Sequence, residues 1–326
     1  MKELHRARRV GYTTVCCAVI LRLFAAGVPE RLWLRLIQPN IDPFVTKLET
    51  GRNVRFSSSL DTFSPDFMES PPPLIPEPTE APIPAFSGEE AVDLYYAVRK
   101  QPDIEALLAK PLQWNLFSEE PSVLILHTHT TESYTKQGED YKETSSWRTL
   151  DENYNMLSIG QLVGQHLKDS GISVLHHREL NDYPSYSGSY VRARQSIREI
   201  LKENPGIRLI LDLHRDAAGT DTRQMRTQAT VDGEASAQLM IVLGTNHEAY
   251  EENLSLGLKL HVLLEEEDPG IMRPLQLRAQ RFNQDLNSGT LLIEVGAAGN
   301  SHKEARIAAK KLAEAIVVLA KGTETD

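Results

Sequence analysis

From residue 121 to residue 321 the chain alternates short apolar runs with longer amphipathic stretches. That alternation predicts strands separated by helices. The strand-like runs are Val123–Leu126, 172–175, 207–213, 238–243 and 291–293. Between them, 151–170 places Met156, Ile159, Val163 and Leu167 on one helical face, with Gly171 as a stop signal. Residues 190–203 carry Val191, Ile197, Ile200 and Leu201 and close on Asn204-Pro205-Gly206. The stretches 250–264, 278–286 and 302–320 also read as helices. Strands joined through helices of this length imply an α/β domain built on a single, mostly parallel sheet with helices on both faces. We place this domain at 111–326.

The pattern changes upstream. Residues 89–108 have helical character (Ala91, Leu94, Val98, Ile104, Leu107) and form either a linker helix or the edge of the domain. Between 64 and 86, prolines crowd together, among them Pro71, Pro72, Pro73, Pro76 and Pro78, with acidic residues interleaved. Such a segment favours extended polyproline II, and some 20 residues of it reach about 60 Å. Residues 31–110 therefore read as a linker. Residues 1–30 resemble a targeting segment, with Lys2, Arg6, Arg8 and Arg9 ahead of an apolar run that Arg22 interrupts. An arginine near a helix centre costs about 2.5–3.5 kcal/mol on insertion scales, so the run spans a membrane if Arg22 snorkels to an interface. A signal-anchor, a cleaved signal and a peripheral helix all imply export. The signal-anchor places a single pass in the cell membrane and the domain on its extracytoplasmic side.

Composition narrows the chemistry. The net charge of −10, with no Lys/Arg stripe to offset it, argues against a nucleic-acid partner. The only two cysteines, Cys16 and Cys17, lie in the N-terminal apolar run, so any metal in the domain must be held by His, Asp or Glu. Two motifs supply such groups. His127-Thr128-His129-Thr130-Thr131-Glu132 follows the first strand, and Asp212-Leu213-His214-Arg215-Asp216 closes the third. His127, His129, Glu132 and His214 are the candidate metal ligands, and the spacing of the HxH pair leaves open which imidazole binds. Asp151 and Glu152 fit helix capping but are alternatives to Glu132 as the acidic ligand. Glu294, at the end of a buried strand, is the candidate catalytic carboxylate, because burial raises its pKa toward the range useful for proton transfer. Arg215 is a candidate to hold a developing oxyanion. Arg215 and Asp216 could equally orient His214 or form a plain ion pair. His176-His177 read as structural.

Taken together, His127–Tyr134, Thr149–Asn155, Leu211–Ala217, Asn283–Leu286 and Leu292–Ala297 resemble the stage II sporulation protein P family across roughly 122–319. The resemblance implies a zinc-dependent peptidoglycan hydrolase related to the N-acetylmuramoyl-L-alanine amidases and acting in engulfment. It would cut the N-acetylmuramoyl-L-alanine bond and also peptide cross-links. It further implies as partners the lytic transglycosylase stage II sporulation protein D and the membrane protein stage II sporulation protein M. Two other readings compete: a metal-dependent phosphoesterase, suggested by HTHT, and a non-catalytic wall-binding scaffold.

Overall fold

Strand β4, Leu209–Asp216, is buried along nearly its whole length and is an inner strand of the sheet. The computed structural model describes residues 94–96 and 102–322, apart from 113, 139, 221 and 222. In chain order the first elements are β1 (Leu94–Tyr96), α1 (Ile104–Ala109), β2 (Val123–Leu126), α2 (Met156–Asp169), β3 (Val174–His176) and α3 (Ser189–Glu203). After β4 come two small hairpins, β5–β6 (Gly219–Thr220, Arg223–Gln224) and β7–β8 (Ala229–Val231, Glu234–Ser236). The chain then runs through β9 (Leu239–Gly244), α4 (Tyr250–Glu267), β10 (Leu275–Arg278), a 3-10 turn at Gln284–Leu286, β11 (Thr290–Ala297) and α5 (His302–Lys321).

One seven-stranded sheet, ordered β1-β10-β9-β11-β4-β2-β3, organises these elements. Its pairings are parallel except for β11 with β9, so the sheet is mostly parallel as expected. Strand alternation sorts the core. Leu209, Leu211 and Leu213 of β4 face a large core shared with α1, α2, α4 and α5, whereas Ile210 faces α3 through Ala193 and Ile197. Helices therefore cover both faces, unevenly. By the same parity Asp212 and His214 lie on the α3 face, and on β11 Glu294 shares the parity of Leu292 rather than that of Leu291, Ile293 and Val295.

Several boundaries differ from those read in the sequence. The stretch 278–286 is not a helix. Leu275–Arg278 is a strand whose alternation (Leu275 and Leu277 inward) is too short to outweigh a helical pattern in a longer window. Among the described residues of 89–108, Leu94–Tyr96 pairs with β10, and the helix is Ile104–Ala109. Leu107 and Leu108 enter the main core, so the packed unit begins ahead of residue 111. Helix α2 starts at Met156 because Asn155 caps it, accepting from the Leu157 N–H at 3.0 Å. Asp151 instead accepts from the Asn153 N–H in a local turn. The expected anchor and proline-rich linker lie outside the described residues, among which no helix is long and apolar enough to cross a membrane.

Helix α4 is buried on every side from Asn253 to Leu264, which leaves the charge of Lys259 to be satisfied inside the core. Its ammonium donates to the carbonyls of Leu107 (3.0 Å) and Leu108 (2.5 Å) and to Ser255 Oγ (3.3 Å). It thereby serves carbonyls in the last turn of α1 that have no partner within so short a helix. Replacing Lys259 by Met relieves a buried charge but strips those carbonyls. The second effect is expected to win, lowering the unfolding free energy by about 1–3 kcal/mol. Denaturant unfolding measures the loss, and amide exchange should show α1 deprotected first.

Candidate active site

The loop leaving β2 is pinned by two buried carboxylates. Thr128 donates from its N–H and Oγ1 to Asp212 at 2.8 and 2.6 Å. Thr131 donates from its N–H and Oγ1 to Asp182 at 3.0 and 2.7 Å. Thr128, between the histidines, and Thr131, just past them, thus shape the loop, and the two imidazoles leave it on opposite sides.

His127 turns onto the α2 side. Its Nδ1 lies 3.0 Å from the Leu213 carbonyl and its Nε2 3.0 Å from His176 Nε2. The carbonyl fixes the proton on Nδ1, so His176 donates across the imidazole pair. Burial lowers both rings, to about 4 and about 3, which keeps them neutral. His127 and His176 together tie β3 through β2 to β4, and the structure does not bring His127 to the other candidate ligands. Gly160 of α2 lies directly against this contact, where a Cβ would stand 2.5 Å from His127 Nε2.

His129 turns to the α3 side, and its ring centroid lies 5.1 Å from that of His214. Burial lowers it to about 3, leaving a neutral imidazole. His214 sits inside β4, not beyond it, with Nδ1 3.6 Å from Glu132 Oε2 and Nε2 3.0 Å from Asp212 Oδ1. Burial alone would lower His214, but the carboxylates of Asp212 and Glu132 outweigh it and hold the ring well above its ordinary value. Burial would likewise raise Glu132, yet Arg215, His214 and His129 hold it below the usual carboxylate range. Two carboxylates thus make this point favourable for positive charge. Glu294 is the register partner of His214 on the adjacent strand. It is partly exposed, but its Oε2 is closed to solvent and without a hydrogen-bond partner. Burial pushes it up to about 8.

Other candidates take different parts. Arg215 is buried beneath Glu132, donating to the Ser133 and Trp147 carbonyls at 3.0 and 2.9 Å, with NH1 3.5 Å from Glu132 Oε1. It is a counter-ion and brace for Glu132, and its guanidinium is engaged away from Glu294. Asp216 pairs with Arg273 at 2.7 Å. Glu152 pairs with Arg178 near the surface, so neither it nor Asp151 joins the cluster. His177 lies 3.7 Å from Glu179. Three contributors were not singled out from the sequence. Asp212 stands two residues before His214 on the same strand face, a relation that strand alternation could have supplied. Arg148 pairs with Glu132 (3.4 Å) and Asp182 (2.5 Å), and Tyr186 stacks on His129. Both come from loops whose convergence no local pattern announces.

His129, Glu132 and His214 form a nitrogen, oxygen, nitrogen donor set of the kind that holds a divalent ion. Asp212 on the far nitrogen of His214 matches the carboxylate–histidine arrangement that fixes a ligating ring. Among the described residues no three such side chains already close on one point. The donor chemistry and the orphaned Glu294 oxygen nonetheless fit an ion with a proton-accepting carboxylate beside it.

The fold and this cluster define an α/β protein with titratable groups gathered in the C-terminal halves of the parallel strands β4 and β11 and just beyond the end of β2, close to the usual place for a site in such sheets. A family model for stage II sporulation protein P matches residues 80–317, and the chain belongs to that family. Stage II sporulation protein P of Bacillus subtilis (strain 168) is 29% identical over 253 residues, covering 73% of this chain. The chain spans 61% of the length of that curated relative. Among solved structures, the N-acetylmuramoyl-L-alanine amidase AmiC2 of Nostoc punctiforme matches at 14% identity and a TM-score of 0.36, covering 61% of this chain and 95% of that one. The CwlD amidase from Clostridioides difficile, in complex with the GerS lipoprotein, matches at 14% identity and a TM-score of 0.37, covering 61% and 96%.

Two outcomes follow from this geometry. Alanine is ordinarily worth up to about 1 kcal/mol over glycine in a helix. At Gly160 the clash with two fixed imidazoles should win, destabilising the fold by about 1–3 kcal/mol. Thermal unfolding reports the sign. For Glu294, the folded chain keeps until about pH 8 a proton that the unfolded chain releases near its ordinary value of 4.5. Stability in chelator should therefore fall as pH rises through that window. Glu294→Gln should flatten the decline and unfold at higher temperature than wild type at pH 8.

Proposed function

We propose that the chain is a zinc-dependent peptidoglycan hydrolase of sporulation. It would cut the amide bond between N-acetylmuramic acid and L-alanine, with peptide cross-links as a second substrate. The observation that carries this reading is the pairing of Glu294 with His214 on one sheet face, beside His129 and Glu132, in a chain of this family. His129, Glu132 and His214 would hold the zinc ion, which when bound polarises a carbonyl and lowers the pKa of a water. Asp212 keeps His214 turned, and Arg215 and Arg148 balance Glu132. Glu294, in its buried setting, takes a proton from the attacking water and returns it to the leaving amine. The turning of His127 toward Leu213 and His176 weighs against the phosphoesterase reading, which needs additional ligands. The domain would act outside the membrane on an N-terminal anchor, alongside stage II sporulation proteins D and M.

Purified chain incubated with peptidoglycan should release stem peptides with free L-alanine amino ends, and a chelator should stop it. Glu294→Gln should lower kcat by about 10²–10⁴-fold while the protein stays folded and keeps zinc. Undiminished turnover in chelator, or in His214→Ala, would overturn the assignment. If Glu294→Gln restores wild-type function in sporulating cells, the scaffold reading replaces it.

A further inference from the structure

Arg215 and Arg148 are both committed to Glu132, and Arg148 to Asp182 as well. Arg273 stands differently. It lies just ahead of β10, where its backbone N–H donates to the Leu239 carbonyl at 2.8 Å. From there its side chain reaches Asp216 on β4, although β9 and β11 lie between the two strands in the sheet. Asp216 stands two residues past His214 on the same face of β4, so the guanidinium lies on the face that carries His214 and Glu294. Asp216 is itself held, its Oδ1 accepting from the Ala218 N–H at 3.1 Å. The Arg273 guanidinium gives one N–H to Asp216 Oδ2 at 2.7 Å. Among the described residues it has no second acceptor, which leaves most of its donors for another anion. Its side chain is 16% exposed, so solvent and solutes reach it. The other register partner of Glu294 is Met240, whose apolar cluster with Val242 and Leu292 offers an anion nothing.

We propose that Arg273, steadied by Asp216, receives a free carboxylate on the peptide side of the substrate, two residues from the bond that is cut. This rests on the proposed cleavage between N-acetylmuramic acid and L-alanine. The substrate's chemistry selects the side. The sugar carries no charge, whereas the second residue of the stem peptide is a γ-linked glutamate whose α-carboxylate is free. In an extended peptide that carboxylate lies about 7 Å from the scissile carbonyl, two residues along. His214 and Asp216 are separated by the same two residues, about 7 Å, along β4. The planar fork of an arginine suits a carboxylate, which it can bind through two parallel hydrogen bonds. Electrostatics gives the contact its purpose. Glu132, Asp212, Glu294 and Asp216 crowd this end of the sheet, and a cation with donors to spare offsets their repulsion of an anionic peptide. Arg273 thereby sets the polarity of the substrate, with the peptide directed toward it and the glycan away.

Two N-acetylmuramoyl tripeptides that differ at one group test this, the α-carboxylate of the glutamate being free in one and amidated in the other. Both are titrated against the full chain in chelator, so that no turnover intervenes. Wild type should bind the acid about tenfold more tightly than the amide, the worth of one charge-assisted contact in a partly exposed site. Arg273→Gln should bind both alike, at the level of the amide. Arg273→Lys should keep part of the preference, since an ammonium supplies the charge without the fork. An arginine with a merely structural role would, when replaced, weaken both peptides in proportion and leave the ratio intact. Equal affinity of wild type for the two peptides, binding of neither, or an undiminished ratio in Arg273→Gln overturns the inference. Should Arg273→Gln fail to fold, a full preference in Arg273→Lys overturns it too. If the ratio is present and lost as expected while zinc-loaded chain leaves peptidoglycan uncut, the hydrolase reading fails and the carboxylate site stands. If peptidoglycan is cut without any such ratio, only the carboxylate site fails.

Discussion

The register of β4 between its two neighbours decides whether this molecule has a site at all. Leu124 pairs with Ile210 on one side and Leu291 with Leu211 on the other. Those pairings send Leu211 and Leu213 into the main core and Asp212 and His214 toward α3. A slip of one residue would exchange the faces, driving an imidazole and a carboxylate among leucines. Both apolar clusters resist that slip, so the same burial that stabilises the sheet fixes His214 beside Glu294. The fold and the site are therefore not separable along β4.

Such a placement carries an electrostatic cost, which the surroundings explain. Asp212, Glu132 and His214 are all nearly inaccessible to water, and isolated charges there would be costly. Each is matched. Asp212 takes two hydrogen bonds from Thr128, Glu132 has Arg215 and Arg148, and His214 stands between the two carboxylates. Glu294 differs: one of its oxygens is closed off without a donor, whereas His214 Nε2, which also lacks a hydrogen bond of good geometry, has the Asp212 carboxylate 3.0 Å away. Three of the four are held in their charged forms and the fourth is pushed toward neutrality. Carboxylates of the same chemistry thus acquire different tasks from their environments.

What could be read from the sequence follows from how local each signal is. The strands β2, β4, β9 and β11 and the helices α2, α3 and α5 declare themselves through runs and periodicities within a few turns of chain. β10 does not, being four residues long. The hairpins between β4 and β9, built from strands of two or three residues, left no sequence pattern that was read as an element. In the cluster, His214 and Glu294 were visible because they interrupt apolar runs, and His129 and Glu132 because they share one polar stretch just past a strand. The choice between His127 and His129 was not visible. In an ideal strand both would share a face, but the chain leaves β2 at Leu126, and the loop turns their side chains apart. Arg215 misled for a related reason. Its position next to His214 suggested chemistry, whereas alternation sends it to the other side, under Glu132.

The site is consequently built from two kinds of support. Asp212, His214 and Glu294 stand on adjacent strands and move only if the sheet moves. His129 and Glu132 stand on a loop held by side-chain hydrogen bonds to Asp212 and Asp182, and are covered by Tyr186 and Arg148 from further loops. Strand-borne groups suit a step that demands fixed geometry, such as the proton transfer proposed for Glu294. Loop-borne groups suit steps that must admit or release something, since their hydrogen bonds can open without unmaking a core. Asp212 belongs to both sets, accepting two hydrogen bonds from Thr128 of the loop and standing 3.0 Å from Nε2 of His214 on its own strand. Its carboxylate is the joint through which the loop-borne half is referenced to the strand-borne one. A change that loosened this joint would uncouple His129 from His214 while leaving the sheet intact.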